Sequence, residues 1–302
     1  MSQPRVSVVI PHLNDHARLP RCLELLQQQS YPSELTEIVV VDNGSARPIR
    51  DIIAAFPGVR EAFEAERGCG TARNRGVQLS RGEILAFTDS DCLPDRDWVA
   101  NGVRRLIAPG APDILGGDIL IFCVDERQPT EVELYEKVFG FQQQLYVHRK
   151  HFAAGANIIT SRPVFEKVGG FRNGRLPEDL EWGRRATAMG YRVGFAPDAV
   201  VKHPARRSWS DLRWKMDRTI FHQRNAMREQ DLFLLRWILF VTLYAVPPMD
   251  KIWEVVISPH LAGTMQRLAA LRVLIRLRYY RVARMAGSLW DASNLGQERF
   301  HV

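Results

Sequence analysis

Residues 84–91, Ile-Leu-Ala-Phe-Thr-Asp-Ser-Asp, form an apolar run that ends in two carboxylates one residue apart. The four apolar residues are short enough for a buried strand. At the end of a strand, where the chain turns, Asp89 and Asp91 can converge on one ligand. Two hard oxygen ligands suit Mg²⁺ or Mn²⁺, which commonly bind together with substrate phosphates. The stretch therefore predicts a metal–diphosphate site at the edge of a sheet, although Asp and Ser are also ordinary turn residues.

Upstream of this stretch, apolar runs alternate with helical patterns. The predicted order is strand 5–10, helix 19–28, strand 37–42, helix 48–56, weak strand 59–65, helix 71–79 and strand 84–89. This alternation with short loops predicts an α/β fold with a doubly wound, mostly parallel sheet. Such sheets bind ligands beyond the carboxyl ends of their strands. The polar segment 11–15, Asp42 and the Asp89/Asp91 pair all fall at those ends.

Downstream, the pattern predicts further helices and strands. They are helix 97–106 capped by Asp97, strand 114–122, one helix 131–146, an extended segment 157–160, helices 163–168 and 177–189, and two short strands at 193–196 and 199–202. Small residues at 153–157 would let the backbone approach a ligand closely.

Composition and charge limit the class of protein. A chain of 302 residues that is 46% apolar can bury a large core. The four cysteines show no C-x-x-C pair, which favours reduced thiols in a cytosolic protein, and the N-terminus shows no signal-peptide pattern. Residues 202–302 hold 17 Lys+Arg and 8 Asp+Glu, a net charge of +9, whereas residues 1–201 carry −2. A basic region favours nucleic acid, anionic lipid or phosphorylated substrates.

Several short motifs stand in one order along residues 5–204: 8–11 with Asn14, 39–45, 70–76, 87–91, 155–157, 165–171, 178–179, 190–193 and His203. In this order they resemble the family 2 glycosyltransferases, which have the GT-A fold. A dinucleotide-binding oxidoreductase is the alternative. It is disfavoured because Gly68-Cys69-Gly70 lacks the third glycine of that fingerprint, Arg73 standing in its place, and follows no strong strand.

The resemblance implies a nucleotide-diphospho-sugar donor, a divalent Mn²⁺ or Mg²⁺ ion, and inversion at the anomeric carbon. It implies that Asp179 is the catalytic base, supported by Glu178, and that Asp91, Asp89 and His203 hold the metal. The residues implied for donor binding are Pro11, Asn14, Asp42, Arg73, Asn74, Asp89 and Ser90. Those implied for acceptor binding are Trp182 and Asn157.

Each of these roles has a structural alternative. Acids in the first turn of a helix, such as Asp179, are favoured by the helix dipole alone. Asp42 could serve a strand-end turn, Arg73 could lie on a helix surface, and Trp182 could belong to the core. His203 could equally be structural.

The basic region 205–302 lies outside the resemblance and is predicted to be a second, helical domain after a catalytic domain at 1–204. Residues 232–246 are strongly apolar, but at 15 residues they are shorter than the ~20 of a spanning helix. A later stripe comprises Leu268, Leu271, Ile275, Tyr279 and Val282, with arginines mostly off it. The pattern predicts peripheral membrane contact through 232–286. Packing on the core or a homodimer is the alternative, and nucleic acid is disfavoured because no binding motif is present.

The sequence thus predicts an inverting, metal-dependent transferase on a lipid-linked or surface glycan, in the cytoplasm or on the cytoplasmic face of a bacterial inner membrane. The Gln-x-x-Arg-Trp motif of processive family members has only near matches at 206–209 and 213–214. Transfer of a single sugar is therefore expected, from UDP more readily than from GDP or dTDP. A non-catalytic GT-A-like protein that binds nucleotide sugar or partners is the alternative function.

Overall fold

The computed structural model describes residues 3–174, 176–228 and 231–289. The chain divides into two compact units. The first comprises the residues up to Leu120 together with Gln142–His203, and the second comprises Ile121–Phe141 together with the residues from Pro204 onwards. The predicted boundary between residues 204 and 205 stays a prediction, and residues 290–302 of the predicted second domain lie outside the described part of the chain.

Within the described residues there are eight β-strands and 12 α-helices. The strands are β1 Val6–His12, β2 Thr36–Asp42, β3 Val59–Phe63, β4 Ile84–Phe87, β5 Leu93–Pro94, β6 Ile114–Phe122, β7 Ile158–Ser161 and β8 Val193–Pro204. The helices are α1 Leu19–Gln27, α2 Arg50–Ala54, α3 Cys69–Leu79, α4 Trp98–Leu106, α5 Glu131–Phe139, α6 Gln143–Lys150, α7 Arg162–Val168, α8 Glu178–Ala188, α9 Trp209–Arg228, α10 Phe233–Ala245, α11 Met249–Ile257 and α12 Gly263–Gly287.

The strands form one sheet in the order β3-β2-β1-β4-β7-β6-β8-β5. Strands β1 to β4 pair in parallel, as the alternating pattern predicts. Strand β7 is antiparallel to both β4 and β6, so the sheet as a whole is mixed. The α/β prediction is confirmed. The parallel strands place the ends of β1, β2 and β4 side by side, and these ends carry the polar clusters found in the sequence.

The core of the first unit forms because its strands are apolar on both faces. All seven residues of β1 are buried, as expected for a strand covered on each side by helices. Helix α3 packs closely on β1 at Gly76, where a Cβ atom would lie 2.3 Å from Cγ1 of Val9. A second cluster packs Phe165 and Phe171 against Phe87 of β4. The four cysteines are free thiols.

Several predicted elements differ from the structure. The single helix predicted over 131–146 is two helices, α5 and α6, because α5 ends at its C-cap Gly140 and glycine is a weak helix former. The two short strands predicted near the end of the first unit are one continuous strand, β8. Asp198 lies between the two predicted strands and is bound by α4, because the Asn101 side chain donates to the Asp198 carbonyl at 2.6 Å. Asp97 makes no side-chain capping bond.

The second unit is helical, with Trp237 and Val255 in its two cores. The Trp237 indole donates to the Met285 carbonyl at 3.1 Å. Glu136 is buried and paired with Lys215 at 2.7 Å and Arg206 at 2.9 Å. Burial opposes ionisation of Glu136, but these two cations outweigh it and lower the pKa to about 2.

Helix α12 turns Val273 and Leu277 inward, whereas Leu268 and Tyr279 of the predicted apolar stripe are 47% and 66% exposed. In the described residues no single helix meets the length and hydropathy expected of a membrane span; α10 and α11 meet them only as a pair, bent by 44°.

Candidate active site

The site begins where β4 ends. Thr88 is fully buried, and the chain then turns so that the Cys92 amide donates to the Asp89 carbonyl at 3.1 Å. This tight turn follows from the Asp-Ser-Asp sequence, whose short polar side chains favour turns. Asp89 and Asp91 are therefore presented together at the carboxyl edge of the sheet.

Asp89, Asp91 and His203 form a cluster suited to a metal ion. One donor atom from each lies within 4.8 Å of the others, and His203 Nε2 is 3.6 Å from Asp91 Oδ1. The end of β8 supplies His203, for which the sequence left a metal-ligand role and a structural role equally open. Burial raises the pKa of Asp91; His203 opposes this effect, and the neighbouring Asp89 adds to it. Two carboxylates suit a hard divalent ion, and the imidazole of His203 offers a third ligand atom.

Arg18 and Asp15 extend this cluster toward α1. Arg18 Nη1 is 3.2 Å from Asp91 Oδ2, and its Nε donates to Asp15 Oδ1 at 2.7 Å. Ser90 donates to Asp15 Oδ2 at 3.1 Å. The Arg18 side chain is 53% exposed, so it can reach a phosphate without leaving its carboxylate partners. Sequence reasoning missed Arg18; its position one residue before α1, in the loop after β1, is the signal that could have found it.

The loops after β1 and β2 are tied to each other. Asn14 has a φ of 56°, a left-handed conformation that Asn tolerates better than most residues. Its amide donates to Ser45 Oγ at 2.8 Å, and its side-chain oxygen accepts from the Ala46 amide at 2.8 Å. Asp42 Oδ1 accepts from the Ser45 amide at 3.0 Å. Pro11 is buried in β1 directly opposite Val41.

The buried side chain of His12 contacts residues of both loops. It is buried, with Nδ1 at 3.2 Å from Ser45 Oγ and 3.8 Å from Asp42 Oδ1, and Nε2 accepts from the Asp15 amide at 3.2 Å. Burial lowers the pKa of His12, so the ring is neutral at pH 7. The sequence analysis placed His12 in a loop and gave it no role. Its position at the end of a central strand was the signal that could have found it.

Arg73 joins the metal cluster to α8. Its guanidinium donates to Asp89 Oδ1 at 2.8 Å and to Glu178 Oε1 at 2.7 Å, and its side chain is 3% exposed. Burial acts to lower the pKa of Arg73, but the Asp89 and Glu178 carboxylates outweigh it and raise that pKa. The guanidinium fits only because residue 155 is a glycine, where a Cβ would lie 2.5 Å from it. The helix-surface alternative for Arg73 is therefore wrong.

Asp179 lies in the first turn of α8. Its Oδ2 accepts from the Gly155 amide at 3.0 Å, and its Oδ1 accepts from the Leu180 amide at 2.7 Å. Burial raises the pKa of Asp179 to about 6, and the neighbouring Glu178 adds to the effect. A carboxylate with such a pKa is ionised at pH 7 and is a stronger base than an ordinary aspartate.

The family model "Glycosyl transferase family 2" matches residues 7–169 of this chain, which is more than half of it. The chain belongs to glycosyltransferase family 2. A second model, "Glycosyl transferase family 21", matches residues 131–290. The enzyme is therefore a glycosyltransferase, and the alternative of a non-catalytic binder is not favoured.

Two curated relatives support this assignment. The glycosyltransferase AglE of Haloferax volcanii is 34% identical over 209 residues, a match that covers 67% of this chain and 68% of AglE. The validoxylamine A glucosyltransferase of Streptomyces hygroscopicus subsp. limoneus is 30% identical over 240 residues, covering 68% of this chain and 51% of that protein. The chain thus matches about half of this longer relative.

Two solved structures have the same fold. The mannosyltransferase PcManGT from Pyrobaculum calidifontis, in complex with GDP-Man and Mn²⁺, has a TM-score of 0.62 at 22% identity and covers 99% of this chain and 89% of its own. S. aureus TarS 1–349 in complex with UDP-GlcNAc has a TM-score of 0.52 at 18% identity, with 76% and 68% covered. Both similarities concern the fold, and they confirm the predicted GT-A architecture with its helical C-terminal part.

In this family 2 enzyme, two predicted acceptor residues are structural. Trp182 is 1% exposed, packs on Phe165 and Phe171, and donates its indole hydrogen to the Gly169 carbonyl at 2.9 Å. Its ring has no open face for a sugar, so the predicted acceptor contact is wrong and the core alternative holds.

Asn157 is fully buried, and the structure contradicts its acceptor role as well. Its amide nitrogen donates to the carbonyls of Asp118 and Ala199 at 2.8 Å, and its oxygen accepts from Trp98 at 2.9 Å. Asn74 is similarly engaged: its amide both accepts from the Phe171 amide and donates to the Phe171 carbonyl, each at 2.8 Å. In the structure, the Asn74 side chain binds the backbone of Phe171. Its role in donor binding stays a prediction.

Proposed function

We propose that this glycosyltransferase moves one sugar, with inversion, from a nucleotide-diphospho-sugar to a hydroxyl of a glycan or lipid-linked acceptor. The single observation that carries the proposal is Arg73. Its guanidinium connects Asp89 of the metal cluster to Glu178, the neighbour of Asp179, through bonds of 2.8 Å and 2.7 Å. One rigid cation thus fixes the spacing between a diphosphate-binding end and a proton-accepting end.

The nucleotide would bind across the ends of β1 and β2. We propose that Asp42 binds the nucleobase, because its carboxylate can accept a hydrogen bond from the N–H of uracil, thymine or guanine. Pro11 and Asn14 would shape the nucleobase pocket. The buried His12 keeps Asp42 and Ser45 in place. UDP remains the favoured carrier because of the family resemblance, with GDP and dTDP as alternatives. We expect Asp89 and Ser90 to contact the ribose and the diphosphate, which follow the nucleobase in the donor.

A divalent ion, Mn²⁺ or Mg²⁺, would be held by Asp91, Asp89 and His203. When bound, it would supply positive charge to the leaving diphosphate. The residues of the chain add to this charge, because Arg18 lies beside Asp91 at 3.2 Å and is half exposed. The donor set fits such an ion, since its three ligand atoms already lie within 4.8 Å of one another.

Asp179 is assigned the role of general base. The acceptor oxygen attacks the anomeric carbon, the bond from that carbon to the diphosphate breaks, and the acceptor proton passes to an Asp179 oxygen. A pKa of about 6 keeps Asp179 ionised at pH 7 while strengthening it as a base. The Gly155 and Leu180 amides hold both of its oxygens. Glu178 is fixed by Arg73 and can face the acceptor.

We place the enzyme in the cytoplasm, attached peripherally to the inner face of the membrane through the second unit and acting in polysaccharide biosynthesis. The exposed apolar side chains of α10, such as Leu235 and Leu239 at 62% and 57%, support the attachment. A homodimer through the same region is the alternative. Binding of nucleic acid is not proposed.

The test is thermal stabilisation by UDP, GDP and dTDP, each with and without Mn²⁺ or Mg²⁺. A ligand that binds only the folded state raises the melting temperature. We expect a metal-dependent rise with one nucleotide and a smaller rise without metal. Equal shifts with and without metal would contradict the metal site, and no shift with any of the three would contradict the donor site.

A further inference from the structure

The outward faces of α10 and α11 are mostly apolar, although Arg236, Thr242 and Asp250 are also exposed on these helices. A surface helix ordinarily turns its polar residues to water. Here the only buried residue of α10 is Trp237, while Leu235 and Leu243 are 62% and 58% exposed. The surface continues along α11, where Met249 and Trp253 are 68% and 62% exposed. This apolar surface comprises Leu234, Leu235, Ile238, Leu239, Leu243, Val246, Met249, Trp253, Val256 and Ile257.

A small basic pocket lies at the turn between these two helices. It has a volume of about 140 Å³, several times the ~30 Å³ that a water molecule occupies in the liquid. Its cations are Lys251, Arg278 and Arg281, and its other lining residues are Tyr135, Phe139, Tyr244, Pro248, Leu274 and Leu277. No carboxylate is among these lining residues, although Lys251 is paired with Glu254 outside the lining. We refer to it as the basic pocket.

Neutral groups hold the two arginines of the basic pocket in position, whereas Lys251 is also paired with Glu254. Arg278 and Arg281 lie over the Tyr244 ring at 4.5 Å and 4.2 Å, and Lys251 lies 5.8 Å from the Phe139 ring. Arg278 also donates to the Val246 carbonyl at 2.9 Å, which fixes it at the end of α10. The buried Nε atoms of Arg278 and Arg281 have no hydrogen-bond acceptor among the described residues. Because no carboxylate is among the lining residues, the positive charge of these three side chains would attract an anion to the pocket.

The pocket and the apolar surface meet at one turn. Pro248 lines the pocket, while the neighbouring Val246 and Met249 are 57% and 68% exposed. Helix α10 has 13 residues, about 20 Å at 1.5 Å per residue, against the ~30 Å of a bilayer core. If α10 lay parallel to the membrane surface, the basic pocket would be at the depth of the lipid headgroups.

We propose that the basic pocket binds the phosphate of an anionic membrane phospholipid while the apolar surface enters the outer part of the bilayer. This inference rests on the membrane attachment proposed above and adds a defined headgroup site to it. A second copy of the chain is a poorer occupant, because the basic pocket beside the apolar surface has three cations and no carboxylate among its lining residues. Two such surfaces would repel each other, whereas an anionic leaflet attracts them.

The experiment measures sedimentation of the full-length protein with vesicles of phosphatidylcholine alone or with phosphatidylglycerol added. The pocket variants are Lys251→Gln and Arg281→Gln, and Lys251→Arg keeps the charge. Arg272→Gln removes one positive charge from α12, outside the pocket lining, and is the matched control because Arg272, like Lys251, is paired with one glutamate. Leu239→Ser tests the apolar surface. Binding of UDP with Mn²⁺, measured separately, checks that each variant is folded and that the donor site is independent of the membrane.

We expect Lys251→Gln to weaken binding to anionic vesicles about tenfold or more, the loss of a charge-assisted hydrogen bond. Arg272→Gln should cost at most about fivefold, the effect of one surface charge, and Lys251→Arg should bind like wild type. Inorganic phosphate should reduce binding of wild type but not of Lys251→Gln. Equal losses in Lys251→Gln and Arg272→Gln would overturn the pocket and leave the attachment standing. If wild type binds neither vesicle, the attachment and the pocket both fail, whatever the result for the donor site.

Discussion

Replacing Asp179 by Asn should abolish sugar transfer and at the same time stabilise the protein at neutral and alkaline pH. Asn has nearly the same shape as Asp but cannot accept the proton of the acceptor. The stabilisation follows because the folded protein raises the pKa of Asp179 from 3.8 to about 6. A carboxyl group with a raised pKa favours the folded state when protonated, and this contribution is lost as the pH rises through the folded pKa.

The size of the effect follows from the shift. Roughly two pKa units at ~1.4 kcal/mol each mean that ionised Asp179 costs the folded state about 3 kcal/mol at pH 8 and about half of that at pH 5. Asn keeps only one of the two oxygens that accept from the Gly155 and Leu180 amides, which costs about 1 kcal/mol at every pH. The variant should thus be more stable than wild type by about 2 kcal/mol at pH 8, and by much less at pH 5.

The assay is thermal unfolding of both proteins from pH 5 to pH 8, together with transfer and donor binding at each pH. At ~2–4 °C per kcal/mol, the variant should melt several degrees higher at pH 8. The kcat/KM of wild type should rise with an apparent pKa of about 6 and then level off. Asp198→Asn is the control of opposite sign: Arg105 and Arg104 outweigh burial and lower the pKa of Asp198, so that variant should lose stability above pH 4.

Three outcomes would refute this reasoning about Asp179. Transfer at the wild-type rate by the Asn variant would exclude Asp179 as the base. Loss of donor binding with the fold intact would make Asp179 a donor ligand instead. A variant less stable than wild type at pH 8 would mean that Asp179 is held by attraction, contrary to its raised pKa.

Three further predictions concern the rest of the site. In Gly155→Ala, the new Cβ would lie 2.5 Å from the Arg73 guanidinium, so Arg73 must shift and transfer should fall roughly 100-fold; Gly174→Ala, with nothing within 4 Å, should be neutral. Asp91→Asn should remove the metal-dependent part of the nucleotide-induced rise in Tm and keep the metal-independent part, and an undiminished Mn²⁺ effect would contradict the assignment. Trp182→Ala should destabilise the protein by about 3–5 kcal/mol in chemical denaturation, whereas a stable variant with only a raised acceptor KM would restore the acceptor role.

The fold could be predicted from the sequence wherever local pattern and buried environment agree. The parallel strands β1, β2 and β4 are apolar on both faces, and their places along the chain follow from that pattern, although β1 ends two residues later and β4 two residues earlier than predicted. The prediction failed at the helix over 131–146, because the amphipathic pattern continues past Gly140, where α5 ends, and a single glycine does not show whether a helix stops or continues. Strand β5 has two residues and exists through pairing with β8, so no local pattern could reveal it.

The candidate site was predictable to the extent that its residues stand at strand ends. Asp89 and Asp91 could be placed there because β4 is a clear apolar run. Trp182 and Asn157 were misassigned because aromatic and amide side chains serve both sugar contacts and the core, and only their burial, 1% and 0% exposed, separates the two. Arg18 was missed because its partner Asp91 is 73 residues away along the chain, so that only its position directly before α1 could have indicated it.

The pairing of Arg73 with Asp89 and Glu178 is a feature of the structure that the sequence motifs do not reveal. A buried guanidinium costs free energy unless it is paired. Arg73 is paired through its two terminal nitrogens with Glu178 and Asp89, although its buried Nε has no partner among the described residues, and this pairing restricts both carboxylates to one separation. Gly155 contributes twice to this arrangement: it leaves room for the guanidinium, and its amide donates to Asp179 at 3.0 Å. A change at residue 155 would therefore disturb the donor end and the base together. The spacing of these two ends, which transfer requires, depends on one arginine and one glycine that contribute no proton transfer of their own.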